Sequence, residues 1–387
     1  MFIPYGKQNI NQADIDSVID VLKSDWLTQG PSVEMFEEAA KSYHAANHAC
    51  AVNSATSALH IACLALGLRE GDWLWTSPNT FAASSNCGLY CGADIDFVDI
   101  DPNTLNMCAQ KLEVKLEEAK TKGTLPKIVV PVHFGGLSCD MEAIYNLSIK
   151  YGFKIIEDAS HAVGGSYFGN PVGSCTYSDI TVLSYHPVKI ITTGEGGMAL
   201  TNDTDLAKKL VLLRSHGITR DAGIMSGESH GDWFYQQIDL GLNYRMTDIQ
   251  AALGASQYAR LDEFIANRNR IAMRYKDQLV DFPLTTQSVS LKIHSAYHLF
   301  VIMLTDEKHV KNRKLIFKSL REAGIGVNVH YIPVHTHPYY KKLGFNYGDF
   351  PEAEKYYQSA ISIPMYPDLT IKDQDYVLKA LKQSLDI

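Results

Sequence analysis

Residues 180 to 201 read ITVLSYHPVKIITTGEGGMALT, a stretch with an apolar run at each end. Both runs have the length of a strand, and the segment between them carries a lysine followed by closely spaced glycines. Five similar runs precede them along the chain. Several of the seven are apolar throughout, as strands buried on both faces are, and helical patterns alternate with them. The sequence therefore predicts an α/β fold with a mostly parallel seven-stranded sheet and helices on both sides. The seven predicted strands are Ala49–Val52, Trp73–Thr76, Ile95–Val98, Ile128–Val132, Phe153–Ile156, Ile180–Leu183 and Met198–Thr201.

Polar residues follow several of these predicted strands at the point where each strand ends. The positions are Asn53, Ser77, Asp158 and Ser184. In an open α/β sheet, ligands bind beyond the carboxyl ends of the strands. We therefore expect one functional site along one edge of this sheet.

Asp158 and Lys189 together indicate a pyridoxal-phosphate (PLP) site. Asp158 ends an apolar strand, where a carboxylate is costly to bury unless a cation such as a protonated pyridine nitrogen pairs with it. Lys189 lies between Val188 and Ile190, an apolar setting that lowers the pKa of an amine and favours Schiff-base chemistry. The alternatives are a helix N-cap for Asp158 and a surface lysine for Lys189. The glycines after Lys189 disfavour the second alternative.

Residues around this pair are candidates for holding the rest of the cofactor. Asn53–Leu59 joins a strand to a helix, and the free N–H groups at a helix start attract phosphate, although an ordinary N-cap gives the same pattern. Ser184 can also reach a phosphate. Phe81 is a candidate for stacking on the pyridine face or for the core. His161 is a candidate catalytic residue within reach of the cofactor's phenolic oxygen or a substrate, or else an ordinary hydrogen-bonded histidine.

The composition is that of a globular chain without the features of a nucleic-acid or membrane protein. The 387 residues are 46% hydrophobic and 20% charged, and the formal net charge is −8, whereas a general nucleic-acid binder presents a basic face. The seven cysteines include no Cys-x-x-Cys pair, and no stretch of transmembrane length is free of charges and turn residues. No histidine pair has carboxylate or cysteine neighbours at metal-ligand spacing. We expect a cytoplasmic protein with reduced thiols, no signal segment and no metal.

The alternation of short apolar runs with helical patterns ends at a long helical pattern that runs from Asp248 to about Leu279. Beyond it we predict a strand at His298–Leu304, a helix at Arg313–Ala323 and a strand at Val327–Tyr331. The sequence thus predicts a large α/β domain over residues 1–255 and a smaller α+β domain over residues 256–387. Residues 219–237 are rich in glycine, serine, aspartate and aromatic residues, so we predict a loop near the site.

Six motifs extend over nearly the whole chain: Leu27–Gly30, Asn53–Leu59, Glu157–His161, Ser184–Lys189, Arg214–Gly217 and Asn243–Asp248. As a set they resemble the DegT/DnrJ/StrS family of PLP-dependent sugar aminotransferases, which have the type I, aspartate aminotransferase-like fold. Within that family, residues 53–60, 71–78, 184–189 and 329–333 are most similar to the transaminases of pseudaminic acid biosynthesis.

The resemblance implies a role for each matching position. Lys189 would form the Schiff base and carry the proton, and Asp158 would bind the ring nitrogen. The phosphate would be held by Ala55, Thr56 and Ser184, with Asn243 reaching the phosphate of the partner subunit in a homodimer with shared sites. Asn79 departs from the family, in which an apolar residue or threonine is more usual, and this departure bears on the shape of the sugar pocket. The substrate site would be lined by Tyr5, Asp25, Trp26, Leu27, Thr28, Ala55, Ser184, Arg245, His330, Tyr331, Ile332 and Pro333.

The activity that the resemblance implies is a two-step transamination. L-Glutamate would give its amino group to the cofactor and leave as 2-oxoglutarate. The amino group would then pass to C4 of a UDP-linked 4-keto-6-deoxy-N-acetylhexose, which in pseudaminic acid biosynthesis gives UDP-4-amino-4,6-dideoxy-N-acetyl-β-L-altrosamine. The D-epimer and keto sugars of the bacillosamine or dTDP type stay open as substrates. Lys189 argues against a sugar dehydratase of the same fold, which carries histidine there, and Lys189 with Asp158 argues against a non-catalytic sensor.

Overall fold

The computed structural model describes residues 2–386. None of the helices in this range is long and apolar enough to cross a membrane. Two short 3-10 helices lie at Phe134–Gly136 and Val334–Thr336. The α-helices in the described range are α1 Gln12–Lys23, α2 Pro31–His44, α3 Ala55–Ala65, α4 Ala83–Tyr90, α5 Ala109–Lys122, α6 Met141–Tyr151, α7 Thr204–Arg214, α8 Asp248–Tyr258, α9 Leu261–Gln278, α10 Glu307–Lys311, α11 Arg313–Glu322, α12 Pro338–Lys341, α13 Pro351–Ser359 and α14 Ile371–Ser384.

The strands form one large sheet and three small ones. In chain order they are β1 His48–Val52, β2 Trp73–Thr76, β3 Asp94–Phe97, β4 Ile128–Val130, β5 Lys154–Asp158, β6 Ser166–Tyr167, β7 Asn170–Pro171, β8 Ile180–Ser184, β9 Gly197–Thr201, β10 Ile218–Thr219, β11 Gln236–Gln237, β12 Leu284–Thr286, β13 Ile293–His294, β14 Phe300–Leu304 and β15 Ala360–Ile363.

The large sheet has seven strands in the order β1-β9-β8-β5-β4-β2-β3. Neighbouring strands from β8 to β3 are parallel, and β9 is antiparallel to both β8 and β1. The prediction of a mostly parallel seven-stranded sheet is therefore confirmed. The fourth strand ends earlier than predicted, at Val130, because Pro131 has no N–H to donate. Beyond it, Val132 pairs with Asp158 through an isolated bridge.

The single long helix predicted from Asp248 to Leu279 is wrong, because the structure has two helices, α8 and α9, separated at Ala259 and Arg260. Arg260 leaves helical geometry (φ −114°, ψ 7°). Its guanidinium binds the Asp14 carboxylate on α1 and so anchors the break to the N-terminal part of the chain. A helical pattern in the sequence does not report such a long-range contact.

The strand predicted at Val327–Tyr331 is also wrong, because this segment makes only an isolated bridge, between Asn328 and Ser362. Beyond the bridge the chain leaves the small sheet and packs against the segment that follows β2. There the Val334 N–H donates to the Pro78 carbonyl oxygen. The departure places Tyr331 against His161 and Phe81, while His330 stays bonded to the Ser362 hydroxyl of β15.

The C-terminal part of the chain has its own sheet, β12-β14-β15, which packs with α9, α11 and α14 around a separate core. Ile3 joins this core and bridges to Ile325, so the N-terminus belongs to it as well. The predicted division between residues 255 and 256 falls inside α8, whose last residue, Tyr258, packs in the same core as Phe36. The division itself stays a prediction.

Candidate active site

A cavity of about 370 Å³ lies at the carboxyl ends of β5 and β8, beside the start of α3. It brings together side chains that are far apart in the sequence and come from both parts of the chain. The predicted site residues that line it are Tyr5, Ala55, Thr56, Phe81, Asp158, His161, Ser184, Lys189, His330 and Tyr331. Their proximity makes a shared site possible, and their individual roles stay predictions.

The start of α3 offers unpaired backbone N–H groups to this cavity. Ser54 is the N-cap, and its hydroxyl accepts from the Ser57 N–H at 3.1 Å. The N–H groups of Ala55 and Thr56 have no hydrogen-bond acceptor within residues 2–386. Gly197 lies so close that an added Cβ would be 2.4 Å from the Ser54 carbonyl. The start of α3 therefore leaves donors free of the kind that anions accept from, in a close approach that a side chain at position 197 would block.

Asp158 ends β5 and is 5% exposed. One carboxylate oxygen, Oδ2, accepts from the Ser84 hydroxyl at 2.6 Å, and Oδ1 accepts from the Ser160 N–H at 3.1 Å. These two donors fix the orientation of the carboxylate, and no cation among residues 2–386 is in direct contact with its negative charge. A positively charged group in the cavity would complete its pairing.

Lys189 follows β8 in a turn closed by hydrogen bonds of the Lys189 and Thr193 N–H groups to the carbonyls of His186 and Tyr185. Its side chain is partly buried in the cavity lining, and its ammonium makes no hydrogen bond within the described part of the chain. Burial lowers the pKa of Lys189 to about 8, and the negative charge of Asp158 opposes this shift. About a tenth of the amine is therefore unprotonated at pH 7.

His161 is bonded at both ring nitrogens. Nδ1 accepts from the Gly135 N–H at 3.3 Å, and Nε2 lies 3.0 Å from the Tyr331 hydroxyl oxygen. A backbone amide can only donate, so Nδ1 carries no proton and the neutral ring donates from Nε2 to Tyr331. Burial and the charge of Lys189 hold the pKa of His161 well below its usual value, which keeps the ring neutral. The Tyr331 hydroxyl retains its own proton to donate.

Several predicted site residues lie away from this cavity. Asp25, Trp26, Leu27 and Thr28 are exposed, and Leu27 and Thr28 pair with the start of α8 instead. Asn243 is exposed and bridges to Ser215, while Arg245 lines a separate cavity beside Arg214. Ile332 and Pro333 belong to the same segment as Tyr331 but lie beyond the cavity lining, as do residues 219–237. The structure of one chain does not bring these residues to Lys189.

Sequence reasoning missed other residues of the site. Ser84 binds Asp158 across 74 residues, and His298 and Asn328 line the cavity from the C-terminal part of the chain. Ser84 lies in the first turn of α4. Its closeness in sequence to Phe81, a predicted site residue, was the only local indication that it lies near the site. Asn79, the departure from the family pattern, is buried and donates to the Leu105 carbonyl oxygen at 3.2 Å.

Comparison with known proteins gives close relatives along the whole chain. A UDP-4-amino-4,6-dideoxy-N-acetyl-β-L-altrosamine transaminase from Campylobacter jejuni serotype O:23/36 is 41% identical over 99% of this chain and 98% of its own length. The spore coat polysaccharide biosynthesis protein SpsC of Bacillus subtilis is also 41% identical, over 98% of this chain and 96% of its own length.

Solved structures give the same result. Helicobacter pylori PseC, an aminotransferase involved in the biosynthesis of pseudaminic acid, superposes with a TM-score of 0.91 at 30% identity and full coverage of both chains. A sugar aminotransferase from Streptococcus pneumoniae in its PLP form gives a TM-score of 0.90 at 28% identity, with 100% of this chain and 99% of that chain covered. The DegT/DnrJ/EryC1/StrS aminotransferase family model matches residues 8–382. With Lys189 and Asp158 in one cavity of this fold, the chain belongs to the DegT/DnrJ/EryC1/StrS aminotransferase family.

Proposed function

We propose that this protein is a PLP-dependent aminotransferase that moves the amino group of L-glutamate to C4 of a UDP-linked 4-keto-6-deoxy-N-acetylhexose. The observation that carries the proposal is the placement of Lys189 and Asp158 in one cavity with the free N–H groups of α3. An amine, a buried carboxylate and an anion-binding helix start are the three features that PLP requires of a protein.

The residues of the cavity fit PLP. The N–H groups of Ala55 and Thr56, with the Ser184 hydroxyl, would hold the phosphate. Asp158, which has no cationic partner in the part of the chain that the structure describes, would pair with the ring nitrogen and keep it protonated. Phe81 is 63% exposed and lines the cavity, so its ring is available to stack on the pyridine. When bound, PLP supplies an electron sink that allows an amino group to be exchanged at a carbon centre.

The residues of this chain would then handle the proton and orient the substrates. The pKa of Lys189, lowered to about 8, makes its free amine available near neutral pH, and this amine can take a proton from one carbon atom and return it to another. His161, held neutral and bonded on both sides, orients the Tyr331 hydroxyl. That hydroxyl can donate to an oxygen atom of the bound sugar.

The choice of sugar rests on the relatives. The C. jejuni relative is named for the L-altrosamine product, and PseC is described as acting in pseudaminic acid biosynthesis. These names favour the 4-keto sugar of the L series as amino acceptor and pseudaminic acid biosynthesis as the pathway. SpsC, at equal identity, is named for spore coat polysaccharide biosynthesis rather than for pseudaminic acid, and this difference supports the second candidate, an aminotransferase for another nucleotide 4-keto sugar.

A homodimer with shared sites would explain where the remaining predicted residues lie. Trp26 and Leu27 are 55% and 50% exposed, and Asn243 is also exposed on the same chain. Adjacent exposed apolar side chains such as these two form a patch of the kind that marks protein–protein contact. We propose that they contact the partner subunit, with Asn243 reaching the partner's phosphate site, and that the protein works in the cytoplasm.

The decisive experiment follows the colour of the purified PLP-bound protein. L-Glutamate should bleach it, and UDP-2-acetamido-2,6-dideoxy-β-L-arabino-hexos-4-ulose should then restore the colour. If the colour returned only with the D-epimer or another keto sugar, the protein would still be an aminotransferase, but its amino acceptor would be that other sugar. Protein that binds PLP and does not bleach with glutamate would refute the proposal in favour of a sensor.

A variant test addresses the lysine. Lys189→Ala should abolish multiple turnovers, because no other lysine lines the cavity within residues 2–386. Lys150→Ala serves as a matched control, since Lys150 is exposed and bonds Glu113 and Glu117 on the surface. Sustained turnover by Lys189→Ala at the rate of the control would show that the lysine assignment is wrong.

A further inference from the structure

Glu157 is a buried carboxylate directly before Asp158, and the proposed function assigns it no part. It is 5% exposed and lies at the end of β5 together with Asp158. Successive side chains of a strand point to opposite faces of the sheet, so Glu157 faces away from the cavity that Asp158 lines. A buried carboxylate is costly unless several donors bind it. Its donors therefore show what this carboxylate holds in place.

Three donors bind the Glu157 carboxylate. Oε1 accepts from the hydroxyls of Ser178 and Thr181 at 2.5 and 3.1 Å. These two residues lie just before and within β8, so both bonds stay close to the sheet. Oε2 accepts from Nε2 of His133 at 2.7 Å. This third bond leaves the sheet and reaches residues 133–139, which follow β4 and are called the β4 turn below.

His133 carries its proton on the nitrogen that faces Glu157. The other ring nitrogen, Nδ1, accepts from the Cys139 N–H at 3.2 Å, and a backbone amide can only donate. Burial works against a charged His133, whereas the neighbouring Cys139 and Glu157 side chains raise its pKa. A second ring proton would face the amide proton of Cys139, so in this arrangement the ring is neutral. The His133 side chain therefore ties Glu157 to the far end of the β4 turn.

The β4 turn contacts a histidine of the cavity on its other side. The Gly135 N–H donates to Nδ1 of His161 at 3.3 Å, which leaves the His161 proton on Nε2, 3.0 Å from the Tyr331 hydroxyl oxygen. Gly135 has a left-handed φ of 68°, a conformation that glycine adopts without strain and that the rest of the turn has to maintain. The direction of this N–H therefore depends on the contacts that hold His133.

We propose that Glu157 and His133 are positioning residues that fix which ring nitrogen of His161 carries the proton. They do so through the β4 turn, because its Gly135 N–H reaches His161 only while the turn is held. β5 then prepares the site from both faces, with one carboxylate at the cavity and the preceding one behind the turn. All of these groups are buried within one chain, so their contacts do not depend on a partner subunit. The consequence for catalysis rests on the proposed function, in which the Tyr331 hydroxyl donates to the bound sugar.

The protonation of His161 can be read by nitrogen NMR of the full-length protein, as purified, with isotope-labelled histidine rings. Protonated and unprotonated ring nitrogens resonate far apart, and the His161 signals are those that disappear in His161→Asn. The wild type should show an unprotonated Nδ1 and a protonated Nε2. His133→Asn removes the imidazole that bonds Glu157, so the two His161 signals should move toward each other as the tautomers mix.

Two substitutions of Glu157 test the same bond from its other side. Glu157→Gln can keep its oxygen toward His133 and turn its amide NH2 toward the Ser178 and Thr181 hydroxyl oxygens. This variant should therefore keep the His161 signals of the wild type. Glu157→Leu offers no acceptor, so the signals should move as they do in His133→Asn.

His44→Asn is the matched control for His133→Asn. His44 is equally buried, and its Nε2 lies 3.1 Å from the Tyr258 hydroxyl oxygen, outside the β4 turn. The same substitution there should leave the His161 signals unchanged. In the PLP-bound protein, His133→Asn should slow the return of colour with the keto sugar about tenfold, as expected for one lost hydrogen bond. Bleaching by glutamate should slow by less than about threefold, because the His161 and Tyr331 pair is assigned to the sugar.

The possible outcomes distinguish this inference from the function on which its consequence rests. Unchanged His161 signals in both His133→Asn and Glu157→Leu would overturn the inference, as would a protonated Nδ1 in the wild type. Failure of both variants to fold, judged by circular dichroism, would also overturn it, because the pair would then be needed for the fold itself. Wild-type protein that does not bleach with glutamate would overturn the proposed function, and the NMR signals would still decide the positioning role.

Discussion

In protein freed of PLP, the amine of Lys189 should titrate near pH 8 instead of near the ordinary lysine value of 10.5. At pH 7 a pKa of 8 leaves about a tenth of the amine unprotonated, whereas a pKa of 10.5 leaves about 0.03%. The difference is about 300-fold in reactive amine. It arises because the cavity wall removes water from the ammonium group, while Asp158 compensates for only part of that loss.

The assay is trace acetylation with acetic anhydride over pH 6 to 11, with the Lys189 peptide quantified by mass spectrometry against an added lysine peptide. We expect a midpoint near pH 8 for the wild type. Asp158→Asn should move the midpoint lower still, because it removes the negative charge that favours the ammonium form. A wild-type midpoint at or above pH 10, or an upward shift in Asp158→Asn, would refute this account of the site's electrostatics.

Three further predictions concern the support of the site and of the fold. Ser84→Ala removes the hydroxyl that orients Asp158, so PLP should bind about tenfold more weakly in an absorbance titration. Gly197→Ala places a Cβ 2.4 Å from backbone atoms at the start of α3, so the same titration should show that PLP binding is lost. Burial lowers the pKa of His44 from 6.5 to about 4, so the unfolded chain takes up a proton there as the pH falls through 6.5 and the folded protein does not. The free energy of unfolding should therefore fall by up to about 3 kcal/mol because of this group between pH 6.5 and pH 4. Urea unfolding of His44→Asn should show a correspondingly smaller drop in the free energy of unfolding over the same pH range.

Each of these predictions has a control. Gly6→Ala should bind PLP normally, because no atom lies within 4 Å of the added carbon. Unchanged PLP affinity in Ser84→Ala would mean that Asp158 is oriented without its help. Equal acid sensitivity of His44→Asn and the wild type would mean that the imidazole is already protonated in the folded protein.

Much of the fold was determined by local sequence. The apolar runs around residues 73–76 and 180–183 became β2 and β8 because a strand buried on both faces needs apolar side chains at every position. The same pattern predicted that Asp158 and Lys189 lie at one edge of the sheet, because strands end where the apolar runs stop. The sequence alone thus placed both residues at this edge, as the structure shows.

The tertiary structure alone decided the partners of those residues. Ser84 reaches Asp158, and Gly135 and Tyr331 fix the tautomer of His161, across separations that no local pattern encodes. The break between α8 and α9 depends on Arg260 binding Asp14, 246 residues away. The sequence by itself determined which strands exist and which lysine and aspartate we propose for the chemistry, because both depend on neighbouring residues. Packing between distant segments decided how those groups are oriented, charged and desolvated.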